Sequence, residues 1–275
     1  MKSTIHLLFA LLFIISGCQT KQNIKNKKTI VTGKINHFDQ ISEINSIKLI
    51  IPDLLISENI IEVKINTNGE FKFELKLNNP TDFNLNFGSF LTYYISPGDS
   101  LYFEIDGNCL NNISNDLAGK YEFVKVSGTS EKMNRDIVKF MIFYRDSLLN
   151  WQANSDSVAK LESLDFLKFK TKQLKQFQTA LESFNKTENT GSQFRNWAQA
   201  FIKFDNWTNV MQYRWSHALA INENPGLYVK KMPPEYFDFL KEYKNCRSDE
   251  LYVSCYLYFL HEYAMYINQT VQQDS

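Results

Sequence analysis

The sequence has no surplus of charge of either sign, and it contains little glycine and proline. Its 30 basic residues balance its 30 acidic residues, whereas a nucleic-acid-binding protein usually carries a basic surplus. Ten glycines and six prolines in 275 residues exclude collagen-like and Pro/Gly-rich low-complexity chains. Because 44% of the residues are hydrophobic, the chain can bury a core. We therefore expect a folded protein of one large or two modest domains that binds no nucleic acid.

The N-terminal hydrophobic run is too short to cross a membrane. Residues 5–15 follow Lys2 and are almost wholly apolar, whereas a membrane-spanning helix needs about 20 apolar residues. The sequence Ser-Gly-Cys at 16–18 comes next, and this order resembles the lipobox of bacterial lipoproteins. We predict a signal peptide over residues 1–17, cleavage before Cys18 and lipidation of Cys18. The alternative is an ordinary signal peptide followed by an incidental cysteine.

A polar segment follows the predicted anchor. Residues 18–28 contain four lysines and no acidic residue, which predicts a flexible, solvated tether. Acyl chains on Cys18 would bind membrane lipid, and two or more such chains anchor a protein stably. No acidic residue occurs between Cys18 and Asp39, so the acidic run that directs some lipoproteins to the cell surface is missing. We expect a location in the cell envelope, on the outer membrane and facing the periplasm.

Residues 29–127 show an alternation of apolar and polar side chains with period two. Phe71, Phe73 and Leu75 alternate with charged residues, and segments 83–87 and 101–105 repeat the pattern. Such alternation predicts strands with one buried face and one solvated face. Seven or eight short strands with frequent turns predict an antiparallel β-sandwich or a barrel-like domain.

Two turn motifs divide this β half. The Asn-Gly pair at 68–69 suits a type I′ turn, in which both central residues have positive φ, so we predict a hairpin between segments 61–66 and 70–77. The Pro-Gly-Asp motif at 97–99 predicts a second turn, because proline fixes φ and glycine accepts the left-handed region.

From residue 128 onward the apolar spacing becomes helical, and we predict an all-α domain over residues 128–275. The chain is therefore predicted to be an α+β protein. The first helix should bury one face, made of Met133, Ile137, Phe140, Tyr144 and Leu148. Further helices are predicted over residues 155–184 with Ser155 as the N-cap, over residues 193–220, after the Pro-Pro pair at 233–234, and after Ser248.

Five segments of the mature chain form a combined pattern. They are Val-Thr-Gly-Lys-Ile at 31–35, Asn-Gly-Glu-Phe at 68–71, Ser-Pro-Gly-Asp-Ser-Leu at 96–101, Val-Ser-Gly at 126–128 followed by Asn134, and the helical stretch 234–263. The pattern resembles the N-terminal region of membrane-anchored thiol-disulfide oxidoreductases of the Bacteroidetes, which are relatives of TlpA and the peroxiredoxin-like proteins. The resemblance implies a β domain, a helical region and a membrane anchor. In that family a thioredoxin domain with a Cys-x-x-Cys motif follows, whereas this sequence ends after the helices.

The four cysteines do not form a thioredoxin-type motif. They are Cys18, Cys109, Cys246 and Cys255, and no two of them are spaced as Cys-x-x-Cys. Thiol-disulfide exchange of that type needs a reactive thiolate with a resolving cysteine nearby. We expect Cys255 to be a small buried residue, and we favour free structural cysteines over a redox role. A disulfide with another protein is the alternative.

Other catalytic and metal-binding motifs are missing from the sequence as well. His37, His217 and His261 lie far apart, and the sequence contains neither a Gly-x-Ser-x-Gly elbow nor a phosphate-binding loop. We therefore predict no catalytic residue, no cofactor and no metal, and we expect no independent catalysis. An enzyme of unrecognised type, such as a hydrolase, has no motif in its support.

Tryptophan and arginine are concentrated in the helical half. All four tryptophans lie there, and large aromatic and arginine side chains are frequent at interfaces. The candidate recognition surface consists of Phe204, Trp207, Tyr213, Arg214 and Trp215. The alternative, which we favour, is that the tryptophans fill the core and that arginines pair with acids such as Asp136 and Asp146.

Two functions are compatible with these features. The first is a membrane-anchored lipoprotein that acts as a non-catalytic scaffold or partner-binding module of the cell envelope. The second, which follows from the resemblance, is a truncated or accessory component of a thioredoxin-like thiol-disulfide oxidoreductase system. Its partner would then be a periplasmic thioredoxin-like protein.

Overall fold

The computed structural model describes most of the chain after residue 27. It describes residues 28–38, 44–53, 57–88, 90–108, 121–228, 232–245 and 252–271. The predicted signal peptide, Cys18 and the tether before Lys28 lie outside the described residues, as do Cys109 and Cys246. Within the described ranges, none of the helices combines the length and apolar character that crossing a membrane requires.

Within the described ranges, eight strands form two four-stranded sheets. They are β1 (Thr29–Asn36), β2 (Ser46–Asp53), β3 (Ser57–Lys64), β4 (Glu70–Leu75), β5 (Thr81–Asn86), β6 (Phe90–Ile95), β7 (Ser100–Asp106) and β8 (Val124–Gly128). The strand order is β4-β1-β7-β8 in the first sheet and β3-β2-β5-β6 in the second. Apolar residues from both sheets share one core, among them Val31, Phe73, Phe83 and Phe103. The β half is therefore a two-sheet sandwich rather than a closed barrel.

The turn at 68–69 forms, but the predicted hairpin is wrong. Gly69 has a φ of +80°, and its N–H donates to the Asn66 carbonyl at 2.9 Å. Asn68 lacks the positive φ of a type I′ turn, because the Asn66 side chain accepts hydrogen bonds from the Asn68 and Glu70 amides at 2.9 Å each and shapes the loop. The strands on either side, β3 and β4, belong to different sheets.

One strand pair departs from the predicted antiparallel arrangement. Strands β1 and β7 run parallel, with Val31 opposite Leu101, whereas the other strand pairs are antiparallel. The predicted turn at 97–99 is confirmed, since Asp99 N–H donates to the Ser96 carbonyl at 3.0 Å and Gly98 has a φ of +85°. This turn carries the chain from β6 in the second sheet to β7 in the first, and β7 thereby enters beside β1.

The described residues after the sandwich form helices and loops, which confirms the predicted α+β class. The α-helices are α1 (Glu131–Phe143), α2 (Trp151–Lys160), α3 (Ser163–Thr187), α4 (Ser192–Ala220), α5 (Pro225–Tyr228) and α6 (Ser254–Val271). A π-helical turn, Tyr144–Leu148, extends α1, and a 3₁₀ segment, Pro234–Asn245, precedes α6. Large aromatic residues of α1, α3, α4 and α6 form a second core.

Two helix predictions need correction. The predicted helix over 155–184 is divided between α2 and α3, and the N-cap of α2 is Asn150 rather than Ser155. The Asn150 side chain accepts a hydrogen bond from the Ala153 amide at 2.9 Å, which satisfies a donor that the first helical turn leaves open. The last helix begins at Ser254, later than the predicted position after Ser248.

A buried carboxylate joins the two halves. Asp82 of β5 is fully buried and accepts three hydrogen bonds, from Trp197 Nε1 at 3.0 Å, from Ser254 N at 2.8 Å and from Ser254 Oγ at 3.1 Å. Burial raises the pKa of Asp82 to about 6, although these hydrogen bonds favour the ionised form. Helices α4 and α6 are therefore tied to the second sheet by one side chain.

Side chains also occupy the outer edge of strand β6. Asn134 of α1 accepts a hydrogen bond from Tyr94 N at 2.7 Å and donates one to Tyr94 O at 2.9 Å. The Tyr121 hydroxyl accepts a hydrogen bond from Thr92 N at 2.7 Å. Two backbone N–H groups and one carbonyl that an edge strand normally leaves open are thus satisfied from within the chain.

Candidate functional site

Four of the five residues of the predicted recognition surface lie in the core. Phe204, Trp207, Tyr213 and Arg214 are buried, and Trp215 is partly buried. They contact neighbouring helices: the ring centroids of Phe204 and Tyr256 are 4.7 Å apart, and the Tyr213 hydroxyl donates to the Leu161 carbonyl at 2.6 Å. The structure therefore corrects the recognition-surface hypothesis for these four residues, because a buried side chain cannot contact a partner.

The alternative interpretation of the arginines and tryptophans agrees better with the structure. Arg145 pairs with Asp146, and Arg214 pairs with Glu262 at 3.1 Å. Asp136 pairs with a lysine, Lys132, rather than with an arginine. Trp197 and Trp207 fill the helical core, while Trp151 is 70% exposed.

The remaining chemical candidates do not converge on a site. Cys255 is a free, buried cysteine, and burial raises the pKa of its thiol well above the usual value, which suppresses the reactive thiolate. His217 is buried and its Nδ1 lies 2.6 Å from the Val158 carbonyl, while His37 and His261 are exposed. Among the described residues there is no group of three or more His, Cys, Asp or Glu side chains that could hold a metal ion.

A cavity of about 410 Å³ lies between the second sheet and helices α1 to α4. Its size falls within the usual range of small-molecule sites, about 300–1,000 Å³. Its aromatic lining consists of Phe90, Tyr121, Tyr144, Trp151 and Phe177. Its amide lining consists of Asn84, Asn154, Gln173, Asn206 and Asn209. We treat this cavity as the candidate functional site.

Local features of the chain position two of the aromatic residues at the cavity, Tyr144 and Trp151. The π-helical turn at the end of α1 begins with Tyr144, which lines the cavity. Such turns contain one more residue per turn than an α-helix and are frequent at functional sites. Asn150 then caps α2, which begins with Trp151 at the cavity.

Tyr144 and Asp205 form a hydrogen-bonded pair in the cavity wall. The Tyr144 hydroxyl donates to Asp205 Oδ2 at 3.0 Å, and Asn209 Nδ2 donates to the Asp205 carbonyl at 2.6 Å. Burial raises the pKa of Asp205, whereas the hydrogen bond from Tyr144 and the charge of Lys170 lower it. Burial, assisted by the negative charge of Asp205, raises the pKa of Tyr144 well above its usual value. The tyrosine therefore stays protonated and acts as a donor.

Lys170 lies at the centre of a second hydrogen-bonded chain. Its Nζ donates to Gln173 Oε1 at 2.6 Å, and Gln173 Nε2 donates to Asn154 Oδ1 at 3.0 Å. Lys170 is only 5% exposed, and burial lowers the pKa of its amine to about 8, against the opposing effect of Asp205. The wall thus holds a buried amine and a partly buried carboxylate among hydrogen-bonded amides.

The sequence contains a signal for Lys170 and Gln173 that its first interpretation missed. The buried face of α3 runs through Phe166, Lys170, Gln173, Phe177 and Leu181. A lysine and a glutamine on an otherwise apolar helical face are unusual, because burying polar groups costs free energy unless they are paired. Such residues must find polar partners, and here Lys170 and Gln173 find them at the wall of the cavity.

The comparisons with known proteins identify neither a family nor a function for this chain. No protein-family model matches the chain, and no significant match was found among curated proteins or solved structures. Functional arguments therefore depend on the sequence motifs and on the cavity.

Proposed function

We propose that this chain is a lipid-anchored, non-catalytic binding protein of the bacterial cell envelope, with the cavity as its binding site. The proposed anchor is Cys18, and it rests on the order of the charged, apolar and Ser-Gly-Cys segments. The observation that carries the binding function is the set of polar side chains inside an apolar lining, above all Lys170, Gln173 and Asp205. Hydrogen bonds within the chain hold these groups in place at the cavity, and a few polar groups placed in an apolar lining are typical of small-molecule sites.

Exposed aromatic side chains support the same proposal. Trp151 is 70% exposed and Phe90 is 55% exposed, and both line the cavity. Large apolar side chains left in water beside a concave site are typical of surfaces that a ligand or partner covers.

The anchoring part of the proposal is tested by detergent-phase partitioning of the full chain. The wild-type protein should enter the detergent phase and carry acyl groups detectable by mass spectrometry. Cys18→Ala should give an uncleaved or aqueous species, because the acylated cysteine is lost. Unchanged partitioning and an unmodified N-terminal peptide would contradict lipidation.

The binding part is tested by thermal unfolding of the detergent-solubilised lipoprotein with a panel of neutral saccharides, amino acids, dipeptides and small carboxylates. A ligand at 100 times its Kd stabilises the folded state by about 2.7 kcal/mol, which raises the Tm by several degrees. Lys170→Met should abolish the shift, because it removes the buried amine while keeping the length of the side chain. Lys168→Met on the same helix is the matched control, since Lys168 is exposed and pairs with Asp165. If every ligand-induced rise in Tm is retained in Lys170→Met, the cavity is not the binding site.

The second function from the sequence, an accessory role in thiol-disulfide exchange, is supported only by the family resemblance. Cys255 is a poor candidate for such a role, because it is buried and its thiol pKa is raised. A mixed disulfide with a thioredoxin-like partner would have to form through Cys109 or Cys246. Trapping of such a species, and its loss in a Cys109→Ser/Cys246→Ser variant, would establish this function.

A further inference from the structure

Four asparagines in the cavity wall are each oriented by one hydrogen bond. Asn84 Oδ1 accepts from Thr92 Oγ1 at 2.8 Å, and Asn154 Oδ1 accepts from Gln173 Nε2 at 3.0 Å. The Nδ2 atoms of the other two donate to backbone carbonyls, at 3.1 Å from Asn206 and 2.6 Å from Asn209. Each bond fixes the direction of the amide plane.

The opposite atom of each amide remains available to a ligand. The amino groups of Asn84 and Asn154 and the carbonyl oxygens of Asn206 and Asn209 have no partner among the described residues. The free atoms of Asn84, Asn154 and Asn206 are not among the buried polar atoms that lack a partner, so solvent can reach them, and Asn209 is itself an exposed residue. The cavity therefore offers two fixed donors and two fixed acceptors.

A mixture of donors and acceptors matches hydroxyl groups. A hydroxyl both donates and accepts, whereas a carboxylate or phosphate ligand only accepts. An anionic ligand would face the carbonyl oxygens of Asn206 and Asn209 and the carboxylate of Asp205, all of which are acceptors. The amide lining thus favours a ligand that carries several hydroxyl groups.

The charged groups of the cavity also favour a neutral ligand. Lys170 and Asp205 carry opposite charges, and each influences the pKa of the other. Arg145, the other cationic residue of the lining, pairs with Asp146. No uncompensated charge of either sign is therefore presented by these groups to a ligand.

The aromatic residues supply the apolar part of recognition. The exposed rings of Trp151 and Phe90 lie at the same cavity as the oriented amides. A pyranose ring has faces of C–H groups that pack on flat aromatic surfaces, while its hydroxyl groups project around the rim. Covering the two rings removes apolar area from water, which favours binding.

We infer that the cavity binds a neutral saccharide, which contacts Trp151 and Phe90 through its apolar ring face and the four asparagines through its hydroxyl groups. The inference rests on the proposed binding function and names its ligand class. The competing ligand is a zwitterionic amino acid or dipeptide, whose two charges would pair with Lys170 and Asp205.

Isothermal titration of the full lipoprotein with glucose, N-acetylglucosamine, maltose, cellobiose, alanine and dialanine tests this inference. At least one saccharide should bind saturably, with a change in tryptophan fluorescence and an affinity that is independent of salt concentration. Trp151→Ala and Asn154→Ala should each weaken binding at least tenfold. Tyr102→Ala is the matched control, because Tyr102 is an exposed aromatic residue of β7 that does not line the cavity. Circular dichroism should show all three variants folded.

The other outcomes overturn the inference and separate it from the proposed function. Binding of alanine or dialanine without any saccharide would refute the saccharide class but leave a binding protein. Saccharide binding that is equal in the Trp151→Ala variant and the control would place the ligand elsewhere. Binding of no compound would refute the saccharide inference, and the wider thermal panel with Lys170→Met would then decide the proposed function.

Discussion

Asp82 should make the stability of the protein depend on pH, and its replacement by alanine measures that dependence. In the folded chain, burial raises the pKa of Asp82 from its ordinary value of 3.8 to about 6. Between about pH 4 and pH 6, Asp82 is therefore protonated in the folded state and ionised in the unfolded state. The stability that Asp82 contributes in this way is fully present below about pH 4 and is lost as the pH rises through 6.

The size of the effect follows from the change in pKa. A rise from 3.8 to about 6 corresponds to about 3 kcal/mol between the two protonation states. Asp82→Ala also leaves the donors on Trp197 and Ser254 without an acceptor, at about 1–3 kcal/mol for each buried group. The variant should therefore be less stable at pH 4, and its deficit relative to wild type should shrink by about 2–3 kcal/mol between pH 4 and pH 7.

Urea unfolding of the wild type and of Asp82→Ala is followed by tryptophan fluorescence at pH 4, 5.5 and 7. It gives the difference in the free energy of unfolding at each pH. Asp165→Ala is the matched control, because Asp165 is exposed at the start of α3, and its deficit should stay within about 0.5 kcal/mol throughout. A deficit of Asp82→Ala that is constant within about 1 kcal/mol across this range would refute the reasoning.

Three further predictions concern packing, the strand edge and the buried thiol. Gly33→Ala should cost about 1–3 kcal/mol in urea unfolding, because a Cβ there would overlap the ring of Phe71. Gly191→Ala should cost less than about 1 kcal/mol, because a Cβ there meets nothing within 4 Å and only the N-cap of α4 is weakened. Equal effects at the two glycines would contradict the packing. Asn134→Ala should cost about 2–4 kcal/mol because it orphans a backbone N–H and C=O of β6, and a loss below 0.5 kcal/mol in the same assay would contradict this. Cys255 should resist iodoacetamide at pH 8 in the native protein and react rapidly in urea, as measured by peptide mass spectrometry, and rapid native labelling would disprove its burial.

The sequence predicted the class of the fold because its periodicity is local information. Alternation over residues 71–77 and helical spacing from Met133 onward each report on one buried face, and both elements are present. The assignment of strands to sheets could not be predicted in the same way. The residues at 68–69 and 97–99 correctly predicted the positions of two turns. A turn motif of four or five residues, however, contains no information about which sheet the next strand joins.

The break between α2 and α3 shows the same limit in the helical half. No glycine or proline marks residues 161–162, where the predicted helix divides. The Leu161 carbonyl accepts a hydrogen bond from the Tyr213 hydroxyl, more than fifty residues away along the chain. A distant side chain thus satisfies a backbone group at the break, which compensates for helical bonding that is lost there.

The candidate site was predictable only in part. Lys170 and Gln173 on the apolar face of α3 are visible in the sequence, but their cavity exists only when α2, α4 and the second sheet surround them. The surface predicted around Phe204 and Trp207 failed for a related reason. Helix α4 lies between several neighbours and buries residues around most of its circumference, so a run of aromatic residues there indicates core.

The occupied edge of strand β6 has a consequence for how copies of the protein meet in solution. An open edge strand recruits extended segments of other chains, and this recruitment increases with protein concentration. The amide of Asn134 and the hydroxyl of Tyr121 take the places that an incoming strand would need. At this edge, copies of the protein can therefore lie side by side without adding a strand to one another's sheet.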